Sequence, residues 1–394
     1  MARELAITVY LFVFRTLFYI FNLIPQKKKT VFVASFGDNI LFTLKELEKQ
    51  VDDPVVILKT SQCKIDFGHI PNGKELSFKG FYLSDWIQSI YHLATSDKIF
   101  IDNYYGFLAV TDFKPNVQCI QLWHAAGAIK QFGLKDPSVE RRSSRAYERF
   151  VKVYHRFTHV VVGSEKMANI FRESFGVSNN AIMRTGIPRT DFFHDITKMR
   201  EVEQELKSRF PIINRKKVIL YAPTYRDNKL NEAKIALDIQ RLEEQLSDQY
   251  VLFLKLHPAI KSDFYNAYSN FVYDVSDITD VNELLVITDI LITDYSSIPF
   301  EFSLLERPMI FFAYDLDEYK KDRGFCEDYK RLIPGPIVNN TDELLQIICN
   351  NNFDLKQIKD FAQRWNQYSI GNSCKSLVSS LYTEEKQYKA VDQS

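Results

Sequence analysis

Cysteine, glycine and proline are all scarce in this sequence of 394 residues, which contains 5 Cys, 13 Gly and 13 Pro. The odd number of scattered cysteines, without a C-x-x-C pair, argues against a disulfide framework or a zinc site and indicates a reducing, cytosolic compartment. So few glycines and prolines argue against a long flexible or low-complexity segment. The length predicts more than one domain.

Net charge is also absent, because 50 Lys and Arg residues balance 50 Asp and Glu residues. A chain without an excess of basic residues is not typical of a protein whose main partner is nucleic acid. Neither a G-x-G-x-x-G fingerprint nor a Walker A loop occurs, which disfavours a dinucleotide-binding or P-loop site. We therefore expect no cofactor and no nucleic-acid partner.

One short pattern is similar to a metal site. Asp315-Leu316-Asp317 has the D-x-D form that holds a divalent ion in some glycosyltransferases, but no third acidic ligand is evident and a lysine-rich stretch follows. We expect a solvated turn at this position and no bound metal.

The longest apolar run lies near the amino terminus, at residues 5–24, and three lysines follow at 27–29. The run is long enough to cross a bilayer, but Arg15 near its middle would cost on the order of 3 kcal/mol in a lone span. No small-residue cleavage site follows, which argues against a signal peptide. We predict that residues 1–29 form a membrane-associating helix in the interface, with its lysines on anionic headgroups. A true span and a helix buried in the protein are the alternatives.

After this segment, short β-branched or aromatic runs alternate with amphipathic stretches. The predicted strands form a first set at 30–36, 54–60, 98–103, 117–123 and 158–164, and a second set at 217–223, 250–257, 289–294 and 308–315. Strands separated by helices imply parallel sheets. The sequence thus predicts an α/β protein with two Rossmann-like domains, residues 30–190 and residues 191–394 with carboxyl-terminal helices, that face each other across a cleft.

Two histidines lie at the carboxyl ends of predicted strands, at the edge where open α/β sheets bind ligands. His124 is followed by Ala-Ala-Gly, small residues that let a ligand approach the backbone closely. His257 precedes Pro258, which ends the predicted strand 250–257. The chain has only 7 His, so one at a strand end in each set favours function over a structural role. A neutral imidazole can accept a proton from a hydroxyl, and a charged one can stabilise a phosphate oxygen.

Two further motifs could bind phosphate. Ser296 and Ser297 follow a predicted strand and open a helix, so their hydroxyls and the free backbone N–H groups would favour an anion. An ordinary N-cap, which needs one serine, is the alternative. Arg189 and Arg226 lie in loops where either guanidinium could contact a phosphate through two hydrogen bonds. Neither arginine loop alone is a strong indication.

Taken together, these motifs resemble a known family. The segments WHAAGAIKQFG, GIPRTD, YAPTYRD, KLHP and TDYSSIPFEF occur in the order and approximate spacing of the CDP-glycerol glycerophosphotransferases of wall teichoic acid synthesis. The likeness extends from about residue 30 to residue 373. The form WHAAGAIKQFG, in place of WHGTPLK, resembles the primase branch, which attaches the first glycerol phosphate, more than the polymerase branch.

The resemblance implies a GT-B-like fold, CDP-glycerol as the donor, and a lipid-linked disaccharide, N-acetylmannosaminyl-N-acetylglucosaminyl diphosphoundecaprenol, as the acceptor. It also implies a peripheral protein on the cytoplasmic leaflet, with other teichoic acid synthesis enzymes as potential partners. For this reaction we hypothesise two catalytic residues: His124 as the general base on the acceptor hydroxyl, and His257, which would hold the diphosphate together with Ser296, Ser297 and Arg189 and offset charge on the departing CMP. The implied donor-site residues are Trp123, His124, Ala125, Ala126, Gly127, Arg189, Pro223, Thr224, Lys255, Leu256, His257, Ser296, Ser297 and Glu301. Lys255 and Glu301 depart from the Arg and Asp that are frequent in the polymerases, but both retain the charge.

Three alternatives stay open at this point. A polymerase-type or ribitol-phosphate transferase of the same family would use the same scaffold. A sugar-nucleotide glycosyltransferase would share the fold class but release UDP or GDP in place of CMP. A non-enzymatic, membrane-bound scaffold would bind CDP-glycerol without turnover.

Overall fold

The computed structural model describes residues 2–79, 82–224, 226, 235–256 and 270–382. The chain divides into two compact units. As far as they are described, residues 1–125, 132–191 and 367–394 form the first unit, and residues 126–131 and 192–366 form the second.

The described part of the first unit contains a parallel sheet of seven strands, in the order β3-β2-β1-β4-β5-β6-β7. Its strands are β1 (Thr30–Ala34), β2 (Val55–Lys59), β3 (Gly73–Ser77), β4 (Lys98–Ile101), β5 (Gln118–Gln121), β6 (His159–Val161) and β7 (Ile182–Met183). Its helices are α1 (Ala2–Asn22), α2 (Asp38–Gln50), α3 (Leu83–Thr95), α4 (Ser144–Tyr154) and α5 (Glu165–Phe175), with short 3-10 helices at Gly106–Val110, Gly133–Lys135, Pro137–Arg141 and Asn179–Ala181. Every residue of β1 and of β4 is buried, because helices cover both faces of a parallel sheet.

The second unit repeats this plan with a parallel sheet of six described strands, in the order β10-β9-β8-β11-β12-β13. Its strands are β8 (Lys217–Tyr221), β9 (Tyr250–Leu254), β10 (Val272–Asp274), β11 (Ile290–Thr293), β12 (Met309–Phe312) and β13 (Ile337–Val338). Its helices are α6 (Ile196–Arg209), α7 (Ile239–Leu246), α8 (Val281–Ile287), α9 (Ile298–Phe302), α10 (Leu316–Arg323), α11 (Tyr329–Leu332), α12 (Thr341–Cys349) and α13 (Leu355–Trp365), with 3-10 helices at Pro211–Asn214 and Ser303–Leu305. Pro188–His194 forms the 3-10 segment through which the chain passes from the first unit to the second.

The predicted strands match the inner strands of both sheets, and the α/β class with parallel sheets is confirmed. The strands β3, β7, β10 and β13 are not among those predicted. All four lie at a sheet edge, where a strand pairs with only one neighbour. Edge strands are less buried than inner ones, so they carry no continuous apolar run that a sequence pattern could reveal.

The last described helix, α14 (Ser373–Tyr382), belongs to the first unit, although the sequence prediction placed it in the second domain. It packs against α2, and the hydroxyls of Tyr382 and Thr30 lie 2.5 Å apart. The carboxylate of Asp191 accepts hydrogen bonds from the backbone N–H groups of Ser373 (2.9 Å) and Cys374 (2.8 Å). These contacts join residues about 180 positions apart or more, which a local pattern does not predict.

Helix α1 packs one face on the first unit and exposes the other. Phe14 and Phe18 are buried, and the Phe14 ring lies 5.1 Å from that of Phe107. On the other face Phe12 and Tyr19 are each 69% exposed. The segment Glu4–Asn22 has the length and mean hydropathy (1.7) of a membrane span, properties that core helices and signal sequences share.

All three lysines after α1 contact protein groups. Lys27 donates to the hydroxyl of Tyr91 at 2.8 Å. The ammonium of Lys29 is buried and donates to the hydroxyl of Thr95 at 2.6 Å, and its burial lowers the pKa of Lys29 to about 8. Lys28 forms an ion pair of 3.2 Å with Asp53. The prediction that all three lysines lie on lipid headgroups is therefore wrong for Lys29, because the end of α3 provides its partner.

Gly186 is required where the chain passes close to the carboxyl-terminal segment. It has a φ of +85°, and an added Cβ would lie 2.4 Å from Oγ of Ser373 and 2.5 Å from the carbonyl oxygen of Tyr368. We expect Gly186→Ala to lower the free energy of unfolding by about 3 kcal/mol, because overpacking adds to the strain of a left-handed alanine.

Gly68→Ala is the matched control, since Gly68 has a φ of +67° but no atom within 4 Å of an added Cβ. It should cost only about 1 kcal/mol, from the backbone strain alone. Chemical denaturation measures both variants, and equal losses would contradict the importance of the close approach.

Candidate active site

His124 lies just beyond the carboxyl end of β5, after a sharp turn at Trp123. Trp123 has a φ of 60°, a left-handed conformation that costs a bulky residue about 1 kcal/mol. Its N–H donates to the side-chain oxygen of Gln121 at 2.8 Å. The indole packs among Phe132, Phe171 and two further rings at centroid distances of 4.3 to 5.6 Å. This packing stabilises the turn and fixes the backbone from which His124 projects.

The ring of His124 is held in one tautomer. Its Nδ1 lies 3.1 Å from the backbone oxygen of Asp102, and a carbonyl oxygen only accepts, so Nδ1 carries the proton and Nε2 presents a lone pair. The ring stacks on Phe36 at 4.0 Å. Burial, with a contribution from the charge of Arg189, lowers the pKa of His124 to about 4. At neutral pH the imidazole is therefore neutral and can act as a base.

Asp102 was not among the predicted site residues, yet it organises this edge of the sheet. It follows β4 and is fully buried, and burial raises the pKa of its carboxyl, opposed by the hydrogen bonds that it accepts. These come from the hydroxyl of Tyr105 (2.7 Å) and from the N–H groups of Ser35, Phe36 and Gly37 (2.8 to 3.1 Å). The sequence signal that could have identified Asp102 is its position, an aspartate at the end of a predicted buried strand.

Asn39 connects the loop of His124 with that of Arg189. Its amide nitrogen donates to the carbonyl of Trp123 (2.9 Å), and its side-chain oxygen accepts from the N–H of Arg189 (3.0 Å). Arg189 is 9% exposed, and its guanidinium lies 4.0 Å from the carboxylate of Asp38. The structure thus places two of the predicted site residues, His124 and Arg189, in one cluster of the first unit.

In the second unit, the predicted residues follow three neighbouring strands. Residues 222–224 come after β8, residues 255–256 after β9, and residues 294–297 after β11, and these strands are adjacent and parallel. Asp294, which is 1% exposed, accepts hydrogen bonds from the N–H groups of Thr224 (2.8 Å) and Tyr295 (2.6 Å). The sheet therefore brings these segments to one edge, as expected for parallel strands.

Arg226 and Asp315 are paired with each other. The guanidinium makes two hydrogen bonds to Asp315, of 2.9 and 3.0 Å, and one of 2.7 Å to Asp294. The expectation of a solvated turn is therefore wrong for Asp315, and the guanidinium of Arg226 does not present an open fork to a phosphate. The sequence did not reveal this pairing, because the two partners of Arg226 lie 68 and 89 positions away. Among the described residues, no group of three or more His, Cys, Asp or Glu side chains is placed to hold a metal ion.

The two serines have different environments. The hydroxyl of Ser296 accepts from the N–H of Ile298 at 3.0 Å, as a helix cap does. Ser297 is the N-cap residue of α9, and its side chain accepts no capping hydrogen bond. The hydroxyl of Thr224 is buried and has no hydrogen-bond partner within the part of the chain that the structure describes. The hydroxyls of Ser297 and Thr224 are therefore the better candidates for contact with a ligand.

The KLHP motif is described only in part. The ammonium of Lys255 donates to the carbonyls of Ser276 (3.1 Å) and Ile278 (2.5 Å), and burial lowers the pKa of Lys255. Leu256 is 5% exposed and lies in the core of the second unit. His257 lies outside the described residues, so its predicted role stays a prediction. Lys255 thus holds the loop after β10, and Leu256 packs in the core of the second unit.

Residues 126–131 pack with the second unit. The N–H of Ala126 donates to the carboxylate of Glu301 at 3.1 Å, and a Cβ on Gly127 would lie 2.5 Å from the ring of Phe300. The small residues after His124, interpreted from sequence as room for a ligand, thus also give room for α9. Glu301 is 1% exposed and supports the same segment. Ala125 is buried and Pro223 is half-buried.

A neutral imidazole and hydroxyl groups at the carboxyl ends of parallel strands are groups that a group-transfer enzyme can use. Residues 19–383 match the family of CDP-Glycerol:Poly(glycerophosphate) glycerophosphotransferases. The match covers most of the chain, so the chain belongs to this family and is a transferase.

Relatives and solved structures agree with this assignment. The chain is 36% identical to the teichoic acid glycerol-phosphate primase of Bacillus subtilis (strain 168). The 378 aligned residues cover 95% of this chain and 97% of the primase. It is 35% identical to the teichoic acid poly(ribitol-phosphate) polymerase of Bacillus spizizenii, over 95% of this chain but 59% of that one. The structure of the wall teichoic acid polymerase TagF has a TM-score of 0.77 at 22% identity, over 98% of this chain and 99% of that chain, which shows a shared fold.

The lowered pKa of His124 predicts an unusual pH profile. Since this pKa is about 4 in the folded chain and about 6.5 in an unfolded one, the imidazole stays neutral down to about pH 4. We expect kcat/KM to fall only as the pH drops through about 4, whereas the folded state already loses stability below about pH 6.5, where the unfolded chain takes up the proton.

Phe36→Ala should expose the ring of His124 to water and move the acid limb of kcat/KM toward pH 6.5. Phe36→Tyr keeps the stacked ring and should leave the limb in place. Profiles of kcat/KM against pH for the three proteins test this. An acid limb near pH 6.5 in the unmodified protein would contradict the desolvated site.

Proposed function

We propose that this transferase acts as a glycerol-phosphate primase of wall teichoic acid synthesis. It transfers glycerol phosphate from CDP-glycerol to the N-acetylmannosamine of an undecaprenyl-diphosphate-linked ManNAc-GlcNAc disaccharide and releases CMP. The observation that carries the proposal is the neutral His124, whose Nδ1–H is held by the Asp102 carbonyl so that Nε2 can accept a proton. The likeness to a glycerol-phosphate primase over nearly the full length of both chains supports this donor and this product.

In the proposed reaction, the acceptor hydroxyl attacks the β-phosphorus of CDP-glycerol. A new O–P bond forms while the bond to the CMP oxygen breaks, and the hydroxyl proton passes to Nε2 of His124. Positioning and stabilisation of charge supply most of the rate in such a displacement. We assign the donor diphosphate to Arg189, to the hydroxyls of Thr224 and Ser297, and to His257. The other donor-site residues inferred from the family resemblance stay part of this proposal.

We further propose that the two units form the GT-B-like pair of domains predicted from the sequence, with the donor in the cleft. The likeness to the fold of TagF, which extends over nearly the whole of both chains, supports this arrangement.

A second candidate is transfer of ribitol phosphate or polymerase-type extension on the same scaffold. The 35% identity to a poly(ribitol-phosphate) polymerase favours it. That relative is considerably longer, however, because the aligned region covers only 59% of its length. The number of glycerol-phosphate or ribitol-phosphate groups added to a defined acceptor separates a primase from a polymerase. CDP-ribitol offered beside CDP-glycerol tests which donor is used.

Incubation with CDP-glycerol and a short-chain lipid disaccharide should add a single glycerol phosphate, detected by mass spectrometry, with one CMP released. His124→Ala should lower kcat by about 10²- to 10⁴-fold, the range for loss of a general base. His69→Ala is the control, because His69 is exposed and belongs to a different loop. Near-normal turnover by His124→Ala would refute the assigned base, and a long polymer would refute the primase assignment.

We also propose that the exposed face of α1 lies in the cytoplasmic surface of the membrane. This face presents large apolar side chains, among them Leu5 (67% exposed), Phe12 (69%) and Tyr19 (69%). A helix that is apolar on all sides, with one side packed on the protein, needs an apolar environment for the other. At this surface the enzyme would bind its lipid-linked acceptor.

The double substitution Phe12→Glu with Ile20→Glu should reduce binding to anionic vesicles more than tenfold in a sedimentation assay, because burial of each apolar side chain contributes about 1.5–3 kcal/mol. It leaves Phe14 and Phe18 in the core. Leu355→Glu with Ile370→Glu is the matched control, since these residues are also exposed, at 50% and 66%. Unchanged sedimentation of the α1 variant would exclude the interfacial helix.

A further inference from the structure

A cavity of about 440 Å³ lies in the first unit beside α1. It is bounded by α1, by the 3-10 helix Gly106–Val110, by α4 and by the segments that follow β2, β3 and β4. The residues that carry the argument are Tyr10, Tyr104, Tyr105, Arg142, Ala146 and Arg149. None of them is among the residues implied for the donor site.

The cavity adjoins the carboxyl edge of the sheet on which His124 lies. Tyr104 and Tyr105 follow β4, the strand next to β5. The hydroxyl of Tyr105 donates to the carboxylate of Asp102 at 2.7 Å, and the carbonyl of Asp102 accepts from His124. One residue, Asp102, therefore connects the wall of the cavity with the proposed base.

The two sides of the cavity differ in chemistry. Ile7, Tyr10 and Leu11 of α1 supply an apolar side, on the helix whose opposite face is exposed and apolar. Arg142 and Arg149 supply a basic side. The stretch 141–152, which contains most of α4, carries five Arg or Lys residues against one Glu. Such a combination suits a ligand with a polyanionic head and a hydrocarbon chain.

The arginines are already held in place. The guanidinium of Arg142 lies 4.8 Å from the centre of the Phe150 ring and donates to the hydroxyl of Ser138 at 3.2 Å. Arg149 forms two hydrogen bonds, of 3.1 and 3.3 Å, with the carboxylate of Glu4 on α1. Because Glu4 is half-exposed, a diphosphate with more charge could replace it as the partner of Arg149.

We propose that this cavity binds the prenyl diphosphate part of the lipid-linked acceptor. Arg142 and Arg149 pair with the diphosphate, and the apolar residues of α1 contact the first isoprene units. Tyr104 and Tyr105 line the cavity and follow β4, the strand beside β5, so the two sugars of the acceptor would extend from the cavity toward His124. The inference rests on the proposed function, because it assigns the acceptor side of that reaction.

Calorimetric titration of the full-length protein with farnesyl diphosphate tests the site without turnover. We expect Arg142→Ala and Arg149→Ala each to weaken binding about tenfold, the effect of one lost charge-assisted contact. Arg142→Lys should lose part of the affinity, because it keeps the charge but not the planar fork. Glu4→Gln should tighten binding, because it releases Arg149. Arg145→Ala, an exposed arginine on α4 that does not line the cavity, is the control and should bind normally.

Steady-state kinetics provide a second measurement. Arg142→Ala should raise the KM for the lipid disaccharide about tenfold and leave the KM for CDP-glycerol unchanged. Filling the cavity with Ala146→Leu should have the same effect on the acceptor alone.

Several results would overturn the site. Equal binding by Arg142→Ala and the unmodified protein would do so, as would an equal loss for Arg145→Ala, which would indicate only diffuse charge. Equal affinity for inorganic pyrophosphate would show a phosphate site without lipid recognition, and equal affinity for anionic vesicles would show a membrane surface only. If farnesyl diphosphate binds as expected but CDP-glycerol gives no transfer, the proposed function fails and the cavity assignment stands.

Discussion

The buried carboxylate of Asp102 is the group on which the carboxyl edge of the first unit's sheet depends. Burying an ionised carboxylate is costly unless donors surround it, and here three backbone N–H groups and the Tyr105 hydroxyl do so. The same residue, through its carbonyl, selects the tautomer of His124. The loop that carries Phe36, the orientation of the proposed base His124 and one wall of the cavity beside α1 thus all depend on Asp102.

The second unit also contains a buried aspartate that accepts backbone hydrogen bonds, but its charge is neutralised differently. Asp294 is also a buried aspartate at the end of an inner strand, and it also accepts backbone N–H groups, those of Thr224 after β8 and of the adjacent Tyr295. In contrast to Asp102, it has a cationic partner, Arg226, which it shares with Asp315. The charges of this cluster are satisfied internally, so the hydroxyls of Thr224 and Ser297 are better candidates for contact with a ligand than the guanidinium of Arg226 is.

Many residues of the recognisable motifs serve the fold before they serve chemistry. Gly127 makes room for the ring of Phe300, and Gly186 makes room for the segment before α14. Asp191 caps α14 through two backbone N–H groups. Lys255 holds the loop after β10 through two carbonyls. A motif can therefore identify a family correctly while several of its residues hold the fold.

The sequence alone determined the inner strands, because strands buried on both faces require apolar runs, and it determined that His124 follows one of them. It also indicated Arg189 through its motif. Only the tertiary structure decided the edge strands, which lack such runs, and the place of α14 in the first unit. The tautomer and lowered pKa of His124, the role of Asp102 and the pairing of Arg226 with Asp315 arise from partners distant in sequence. Burial and hydrogen bonding set these properties, and both exist only once the chain has folded.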